Sequence, residues 1–535
     1  MQISSCAVDR PPSRPGFRCS GLLGRSPTVS TASATLFRYA SSRAPTRSRT
    51  TSATPKFCRR QWRTLHKRQP IVPEGNAHDT VVPVSRLDLL DAAFHFAAAR
   101  NGSRDHYTMY VFDSPPDGAP ETGAIVDYVR VRARDIPELN RRIAHVPLNL
   151  DLPHWVHDDR PVESRVVLHD LTGGTWTDFE NLLGRLKETP LDAATQAWRL
   201  HIVHGLTEAP RTVGSPTVVV LQITHALTAG VGAGQLGRAL FGPTGQALSL
   251  PGHGRPTDIG TLALRAVGAA FALPARTASY LVRASKTRRA YRDSNPDTSA
   301  DRARPVVRGN DDPTHRRAVH VLTFDADSFR RRGLSLTTLG LTALGLASER
   351  FLAEFGETIP STFNARVPIA MPDDVDWSAA NRVVTAGVEL FVDEPDLRRR
   401  AEAIRGSLAL ARERANDAAL LRWARAENCV PAPLFLAAQR RRQARLRPTG
   451  TTVRANTIMV SVNHGPRDLE LCGARAVFSG DFPMLSDGHS VTHGFYGLGD
   501  AVSVCVVACP DTFPDHERYA EILADAVADV ADATS

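Results

Sequence analysis

A chain of 535 residues, 42% hydrophobic and 23% charged, exceeds the roughly 250–300 residues over which one hydrophobic core keeps growing, so we expect two core units. The net charge of +9 comes from one segment, because residues 1–75 hold 14 Lys and Arg but only two acids, which leaves the remainder at −3. The folded part is therefore nearly neutral, and its charge gives no reason to expect a nucleic-acid partner.

Residues 1–78 form a basic extension without the apolar periodicity of a folded segment. They are rich in Ser, Thr, Pro and Arg and nearly free of acids, a composition that cannot bury enough apolar surface to become ordered. We therefore predict that 1–78 is disordered. An Arg- and Ser-rich, acid-poor start is also typical of organellar transit peptides, so import is an alternative to the cytoplasmic localisation that a plain extension implies.

Residues 79–281 are predicted to fold as an N-terminal lobe of helices and strands. Apolar residues have helical spacing at 88–99 and 126–145, and a further helix starts near Gly232. Strand patterns occur at 107–112, 198–203 and 217–224. The last of these (TVVVLQIT) is the strongest indication of a buried strand in this half.

A second α/β unit is predicted after a polar interruption. Residues 282–317 are broken by Pro, Asp, Asn and Arg, which favours a flexible linker, and 318–535 then form a C-terminal lobe. In that lobe we expect helices at 336–355, 395–414 and 516–531, and strands at 319–324, 363–369, 383–391, 457–462, 473–478 and 501–509. No window has the roughly 18 consecutive apolar residues of a transmembrane helix.

The candidate catalytic residue is His225, in the segment from Thr224 to Gly230 that directly follows the strongest strand. Transfer of an acyl group from a thioester to an alcohol needs a base for the hydroxyl proton and a donor for the oxyanion. A His on a turn after a core strand suits the first role, because the strand fixes its position and its pKa lies near neutrality. Gly230 leaves backbone room for a substrate. A His that merely packs at the strand end is the alternative that this segment leaves open.

Motifs of the N-terminal half occur in a characteristic order: Leu90-Asp91-Ala92-Ala93-Phe94, then Pro190-Leu191-Asp192, then Gln196-Ala197-Trp198. This order resembles the wax ester synthase/diacylglycerol acyltransferase (WS/DGAT) family, which belongs to the superfamily of chloramphenicol acetyltransferase-like enzymes and condensation domains. The family's active-site motif, HHxxxDG with the second His as base, falls on 224–230. The resemblance covers about 84–535.

The C-terminal half contains further segments similar to the family pattern, at 367–371, 381–383, 461–467 and 473–475. The active-site motif, however, departs from it. Thr224 replaces the first His, and Ala229 replaces the Asp that holds the loop in shape within the superfamily. Pro372 also stands where the family commonly has Arg. Because a displacement of about 1 Å can lower a rate on the order of 100-fold, these changes bear directly on activity.

The resemblance implies a two-lobed α/β fold with mixed sheets flanked by helices and a tunnel between the lobes. His225 would be the general base, supported by Thr224, Ala229 and Gly230, and acyl-CoA would be the co-substrate, with a lipid alcohol (diacylglycerol or fatty alcohol) as acceptor. No permanently bound cofactor is expected, and no metal, since the cysteines lack His or acid clusters at zinc spacing. Contact with a membrane or lipid droplet would be peripheral. The candidates for lining the tunnel are Trp198, Asn381, Asn463, His464 and Gly465.

Two other functions remain open. The altered motif is compatible with a catalytically impaired family member that binds lipid or a partner, and the acceptor of an active enzyme could instead be a polyketide or glycolipid hydroxyl. Gly232 to Gly237 formally fits the dinucleotide pattern G-x-G-x-x-G. Because seven residues separate the strand from Val231 and the first Gly, we interpret these glycines as close helix packing instead.

Overall fold

The computed structural model describes residues 85–97, 103–113, 118–214, 216–243, 257–294, 303–330, 333–372, 374–445 and 450–534. The segment predicted to be disordered, 1–78, lies outside the described residues. The helices are α1 Leu89–Ala97, α2 Thr122–Arg134, α3 Trp176–Glu188, α4 Val231–Phe241, α5 Thr261–Ser294, α6 Leu336–Glu354, α7 Leu397–Ala415, α8 Ala418–Glu427, α9 Ala432–Arg445 and α10 His516–Ala533. None of them, within the described ranges, is both long and apolar enough to cross a membrane.

The described residues contain sixteen strands, most of which build two six-stranded mixed sheets. The strands are β1 His106–Asp113, β2 Arg141–Ala144, β3 His154–His157, β4 Val166–Gly174, β5 Trp198–Leu206, β6 Thr217–Ile223, β7 Arg304–Pro305, β8 Ala318–Asp325, β9 Asn364–Ala370, β10 Val383–Glu389, β11 Thr452–Val453, β12 Thr457–Asn463, β13 Glu470–Leu471, β14 Ala474–Asp481, β15 Val491–Leu498 and β16 Ala501–Ala508. Twelve of them form the two six-stranded sheets, and the other four form the two-stranded pairs β2-β3 and β7-β11. The first sheet has the order β13-β14-β1-β6-β5-β4, and the second has the order β10-β9-β12-β15-β16-β8. The two sheets with their helices confirm the predicted two-lobed α/β class.

Apolar layers on both faces of the first sheet explain its sequence. All seven residues of β6 are buried, as expected of a Val-rich strand that is covered on both sides. Its outer face packs against α2 and α4 through residues such as Val219 and Leu236. Its inner face packs against the second sheet through residues such as Val220 and Val507. The other face of the second sheet is covered by α6, α7 and α10.

The division into lobes at residue 318 needs one correction. Strand β14 belongs to the C-terminal half of the sequence, yet it pairs antiparallel with β1 in the first sheet, with Thr108 opposite Asp481. The alternating pattern at 473–478 predicted a strand correctly. It could not predict the partner, because pairing depends on contacts between residues that are far apart in sequence.

The prediction of a flexible linker at 282–317 is wrong over 282–294 and 303–317, the parts of it that the structure describes. In the second part, Arg304–Pro305 pairs with Thr452–Val453, and the buried Asn310 amide donates to the Asn456 and Gly488 carbonyls. Helix α5 continues to Ser294 and packs with α8, and its Tyr280 hydroxyl donates to the Glu427 carboxylate at 2.9 Å. Over residues 282–294 a narrow stripe with side chains such as Ala284 and Tyr291 is buried, while most of the exposed residues are polar or charged. The composition therefore resembled a linker although one face is packed.

The helix predicted at 126–145 is also too long. Helix α2 ends at Arg134, and the chain continues as a short 3-10 turn, Pro137–Asn140, and then as β2. Proline has no backbone N–H for a helical hydrogen bond and disfavours a helical residue before it, which accounts for the end of the helix.

Candidate active site

The predicted base lies on a tight turn between β6 and α4. The Thr224 amide donates to the Ala197 carbonyl at 2.8 Å, and the Leu227 amide donates to the Thr224 carbonyl at 2.9 Å, which closes the turn around His225. Gly230 then precedes α4 with φ +54° and ψ −119°. Residues other than glycine rarely adopt this backbone conformation, so Gly230 sets the direction of the chain into α4.

Two aromatic rings hold the His225 imidazole. Phe94 of α1 stacks on it, with ring centroids 3.8 Å apart and planes inclined by 20°. His106, the first residue of β1, approaches edge-on, with centroids 6.2 Å apart and an interplanar angle of 88°. The Nδ1 atom is buried and makes no hydrogen bond with any residue that the structure describes. The residue as a whole is partly exposed, which leaves Nε2 as the nitrogen available to a substrate.

The backbone of His225 is held from the other half of the chain. The Asn381 side-chain amide donates to the His225 carbonyl at 2.8 Å and to the Asp91 carboxylate at 2.7 Å. Asp91 also accepts the backbone N–H groups of Ala380 and Asn381. The Asp91–Asn381 pair therefore joins α1, the segment before β10 and the turn that carries His225, and it accounts structurally for two motifs that were recognised only by resemblance.

Burial governs the charge states at this site. Burial, with smaller contributions from the nearby His106 and Arg104, lowers the pKa of His225 to about 3, while the carbonyl of His225 itself acts in the opposite direction. Burial, and then the neighbouring Asp88, raise the pKa of Asp91 to about 7 against the effect of its N–H donors. His225 is thus neutral at pH 7 and able to accept a proton, but within the described ranges no carboxylate contacts it that would stabilise its protonated form.

A buried carboxylate, Asp481 at the end of β14, lies behind His106. Its Oδ2 atom is 3.5 Å from His106 Nε2 and 3.3 Å from His464 Nε2. Burial by itself would raise the pKa of Asp481, but the imidazoles of His464 and His106 outweigh that effect and hold this pKa below its ordinary value. Sequence reasoning missed Asp481 because it lies outside every recognised motif and reaches the site only through the pairing of β14 with β1.

His464 is not available to line a tunnel, contrary to prediction. Its side chain is buried, with Nδ1 2.8 Å from Ser479 Oγ and Nε2 facing Asp481, and its ring stacks on Tyr496. The neighbouring glycine of α4, Gly234, lies so close that a Cβ there would be 3.0 Å from the His464 ring. His464 therefore packs α4 against the second half.

The glycines of α4 serve close packing, as predicted. A Cβ at Gly237 would lie 1.8 Å from the Tyr110 hydroxyl, a distance that no side chain could tolerate. Together with the contact of Gly234 to His464, this explains the G-x-G-x-x-G spacing without a nucleotide. Helix α4 can approach β1 only because these positions lack side chains.

The remaining predicted site residues occupy different environments. Trp198 is fully buried, with its indole N–H donating to the Leu139 carbonyl at 2.7 Å, so the prediction that it lines a tunnel is wrong. A large aromatic residue at the start of a strand can pack in the core as well as line a tunnel, and the motif alone does not distinguish these two roles. Asn463 is exposed, and its side-chain oxygen accepts the Gly465 amide at 2.9 Å, which shapes the turn after β12. Gly465 has φ +93°, and Ala229 is partly exposed.

A cavity beside α1 is too small for an acyl chain. It is lined by residues that include Leu90, Trp377, Val384 and Leu420 and measures about 30 Å³, room for about two water molecules. The substrate tunnel therefore stays a prediction. Among the described residues, no group of three or more His, Cys, Asp or Glu side chains is arranged to hold a metal ion.

Comparison with solved structures supports the fold. The wax ester synthase/diacylglycerol acyltransferase from Marinobacter aquaeolei has a TM-score of 0.56 at 18% identity, over 83% of this chain and 98% of that one. The trichothecene 15-O-acetyltransferase from Fusarium sporotrichioides has a TM-score of 0.51 at 11% identity, over 83% and 94%. The starter condensation domain of rhizomide synthetase, in complex with C8-CoA, has a TM-score of 0.50 at 11% identity, over 85% and 96%.

Sequence comparison gives the family. Two proteins named as candidate diacylglycerol O-acyltransferases, from Mycobacterium bovis and Mycobacterium tuberculosis, are 25% identical over 438 residues, which are 77% of this chain and 91% of theirs. The wax ester synthase/diacylglycerol acyltransferase catalytic domain matches residues 87–325. The WS/DGAT C-terminal domain matches residues 379–530. The chain therefore belongs to the wax ester synthase/diacylglycerol acyltransferase family of acyl-CoA-dependent O-acyltransferases.

Proposed function

We propose that this protein transfers a long-chain acyl group from acyl-CoA to a lipid alcohol, either a diacylglycerol or a fatty alcohol, with His225 as the general base. The hydroxyl of the acceptor would donate its proton to His225 Nε2 while its oxygen attacks the thioester carbonyl. The tetrahedral intermediate would then collapse, break the carbon–sulfur bond and release CoA, whose sulfur takes the proton back from His225. No covalent acyl-enzyme and no bound cofactor are needed.

The observation that supports this proposal best is the convergence on His225 of residues from both halves of the chain. Phe94 fixes the ring and Asn381 fixes the backbone carbonyl, so the imidazole is held in one orientation with Nδ1 enclosed. A preoriented base of this kind is what direct acyl transfer requires. The neutral state of His225 at pH 7 is a second condition that the site meets.

The test is turnover of palmitoyl-CoA by the purified full-length protein with hexadecanol or dioleoylglycerol, followed by CoA release and mass spectrometry of the ester. We expect ester formation by the wild type and at least a 100-fold lower rate for His225→Ala, on the order of the contribution of a positioned base. His204→Ala, at a residue of β5 that faces Thr122 and Asp170 rather than the turn of His225, is a matched control and should retain activity. Equal rates for wild type and His225→Ala would refute the role of His225.

A second candidate function is lipid binding by a catalytically impaired member. The specific observation in its favour is that His225 Nδ1 makes no hydrogen bond within the part of the chain that the structure describes, while Ala229 stands in place of the motif carboxylate. If this explanation is correct, the wild type is inactive, lipid co-purifies with it, and Ala229→Asp combined with Thr224→His creates ester-forming activity. Because Thr224 is buried, the thermal midpoint of the double variant must be measured alongside.

The acceptor class and the location of the protein are parts of the same proposal. A screen of polyketide and glycolipid alcohols beside the two lipid acceptors identifies the hydroxyl that is esterified. We also propose that the protein is cytoplasmic and contacts lipid surfaces peripherally, since long-chain acceptors partition into membranes and droplets. Cell fractionation with intact residues 1–78 tests this location against organellar import.

A further inference from the structure

Helix α5 exposes a continuous apolar strip to solvent. Leu264 is 75% exposed, Phe271 is 85% exposed and Val282 is 67% exposed. With 3.6 residues per turn, these three side chains lie within about 20° of one line along the helix. The packed face, with Leu262 and Tyr280 buried, lies on the opposite side. The strip is therefore not covered by any part of the chain that the structure describes.

The C-terminal third of the same outer face is basic. Lys286 and Arg289 are exposed and continue the line of the apolar strip, within about 40° of it, while Arg283 and Arg292, also exposed, flank it on either side. Asp293, near the end, is the only acid in the sequence of α5. A helix whose exposed face combines apolar side chains with Lys and Arg has the composition of a segment that lies in the headgroup region of a membrane.

We propose that the outer face of α5 docks the protein on an anionic phospholipid surface. The apolar strip would enter the boundary between headgroups and acyl chains, and the basic third would contact the phosphate groups. Isolated exposed apolar residues need no explanation, but aligned ones such as Leu264 and Phe271 indicate an interaction surface. A second copy of the chain fits this face less well, because antiparallel pairing would set the cations of one helix against the apolar strip of the other.

The location of α5 connects this surface with the candidate active site. Tyr280 of α5 donates to Glu427, the last residue of α8. The next residue, Asn428, accepts the backbone N–H of Leu89 at 2.8 Å, and Leu89 begins the helix that carries Phe94. This inference rests on the proposed function to the extent that a lipid acceptor would reach the site from the docked surface.

The experiment measures binding of the full-length protein to vesicles, independently of catalysis. Co-sedimentation with phosphatidylcholine vesicles containing phosphatidylglycerol should exceed that with phosphatidylcholine alone and should decrease with salt. Leu264→Ser with Phe271→Ser should weaken binding by roughly 10- to 100-fold, given the usual transfer free energy of such side chains. The matched control, Leu168→Ser with Val213→Ser, removes two exposed apolar side chains that lie outside α5 and outside the turn that packs against it, and should bind like the wild type.

The charges are tested in the same assay. Neutralising Lys286, Arg289 and Arg292 to Gln should weaken binding about fivefold per residue. The same change at Arg398, Arg405 and Arg412 on α7, which are also exposed, should have no comparable effect. This comparison is necessary because residues 1–75 carry 14 basic residues that could themselves bind anionic vesicles.

A local probe separates α5 from the basic extension. In Phe271→Trp, brominated lipids should quench the added fluorescence, whereas in Val213→Trp they should not. Absence of quenching at 271, or vesicle binding unaffected by the α5 variants, would refute the proposal. A change from dimer to monomer in those variants would identify the strip as a self-association surface instead. A catalytically inactive protein that still shows quenching at 271 would contradict only the proposed enzymatic function.

Discussion

Removal of the Asn381 side-chain amide tests the connection between the two halves of the site. In the native structure this amide donates to the His225 carbonyl at 2.8 Å and to Asp91 at 2.7 Å. Asn381→Ala leaves both acceptors without that donor, although Asp91 keeps two backbone donors. Loss of a donor to a buried acceptor costs about 1–3 kcal/mol, so we expect the free energy of unfolding to decrease by about 2–4 kcal/mol.

The effect on catalysis should be larger than the effect on folding. Without its donor the His225 carbonyl is free to move, and a displacement of about 1 Å at the base would lower kcat on the order of 100-fold. KM should change little, because the Asn381 side chain is buried and is not expected to contact the substrate. The assay is ester formation from acyl-CoA at saturating acceptor, with urea unfolding of the same preparation.

Asn310→Ala is the matched control for this prediction. Asn310 is also buried, and its amide donates to the carbonyls of Asn456 and Gly488 at 2.8 and 3.1 Å, in the second half of the fold. Its removal should destabilise the protein similarly while leaving kcat within about twofold of the wild type, because no contact with the catalytic turn is lost. The reasoning about the Asp91–Asn381 pair is wrong if Asn381→Ala decreases the free energy of unfolding by less than about 0.5 kcal/mol. It is also wrong if kcat decreases by the same factor in both variants.

Further predictions concern His225 and its supports. Because burial lowers the pKa of His225 to about 3, kcat/KM should stay flat from about pH 8 down to about pH 5, and an acid limb near 6.5 would contradict the assignment. As pH falls below 6.5, the His225 imidazole is protonated in the unfolded chain before it is protonated in the folded protein. The contribution of His225 to the free energy of unfolding is therefore fully present above pH 6.5 and is lost toward pH 3. In urea titrations His225→Gln should reduce that loss, by up to about 1.4 kcal/mol per pH unit. Phe94→Ala should expose the His225 imidazole, and so raise its pKa in an NMR titration and lower kcat. Phe94→Leu should have a smaller effect, because it keeps part of the enclosure. An unchanged His225 pKa in Phe94→Ala would exclude the stacking role. Gly230→Ala should destabilise the protein by about 1–3 kcal/mol from backbone strain, in contrast to a near-neutral Gly214→Ala, where the added methyl group meets open space. Asp481→Asn should cost about 3–5 kcal/mol, because it leaves buried imidazoles without their carboxylate, and an unaltered urea midpoint would argue against that pairing.

The sequence was informative where the pattern is local. The strand at 217–223 and the turn that bears His225 follow from a run of β-branched residues ending in a Gly-containing segment, and both were predicted within one residue. Helix α6, predicted at 336–355, is present as Leu336–Glu354, because its pattern of apolar residues is also local. In each case the residues that determine the element lie within the element itself.

The sequence was uninformative where the structure depends on distant contacts. Asn381 was expected to line a tunnel, but it bonds to a carbonyl 156 positions earlier, and spacing alone could not indicate that acceptor. Trp198 and His464 were assigned to the tunnel because they lie in motifs, yet their polar atoms are used within the core. The last third of helix α5, residues 282–294, was interpreted as linker because only a thin stripe of it is buried, too little to outweigh its Arg-rich composition.

The insertion of β14 into the first sheet has a consequence for how the chain is made. Strands β1, β6, β5 and β4 are synthesised within the first half of the sequence, but the neighbour of β1 on its other side does not exist until residue 481 has left the ribosome. During that interval β1 presents an unpaired, apolar edge, a kind of surface on which other chains can add. The first sheet is therefore complete only late in synthesis. A fragment that stops before Ala474 should aggregate rather than accumulate as an independent domain.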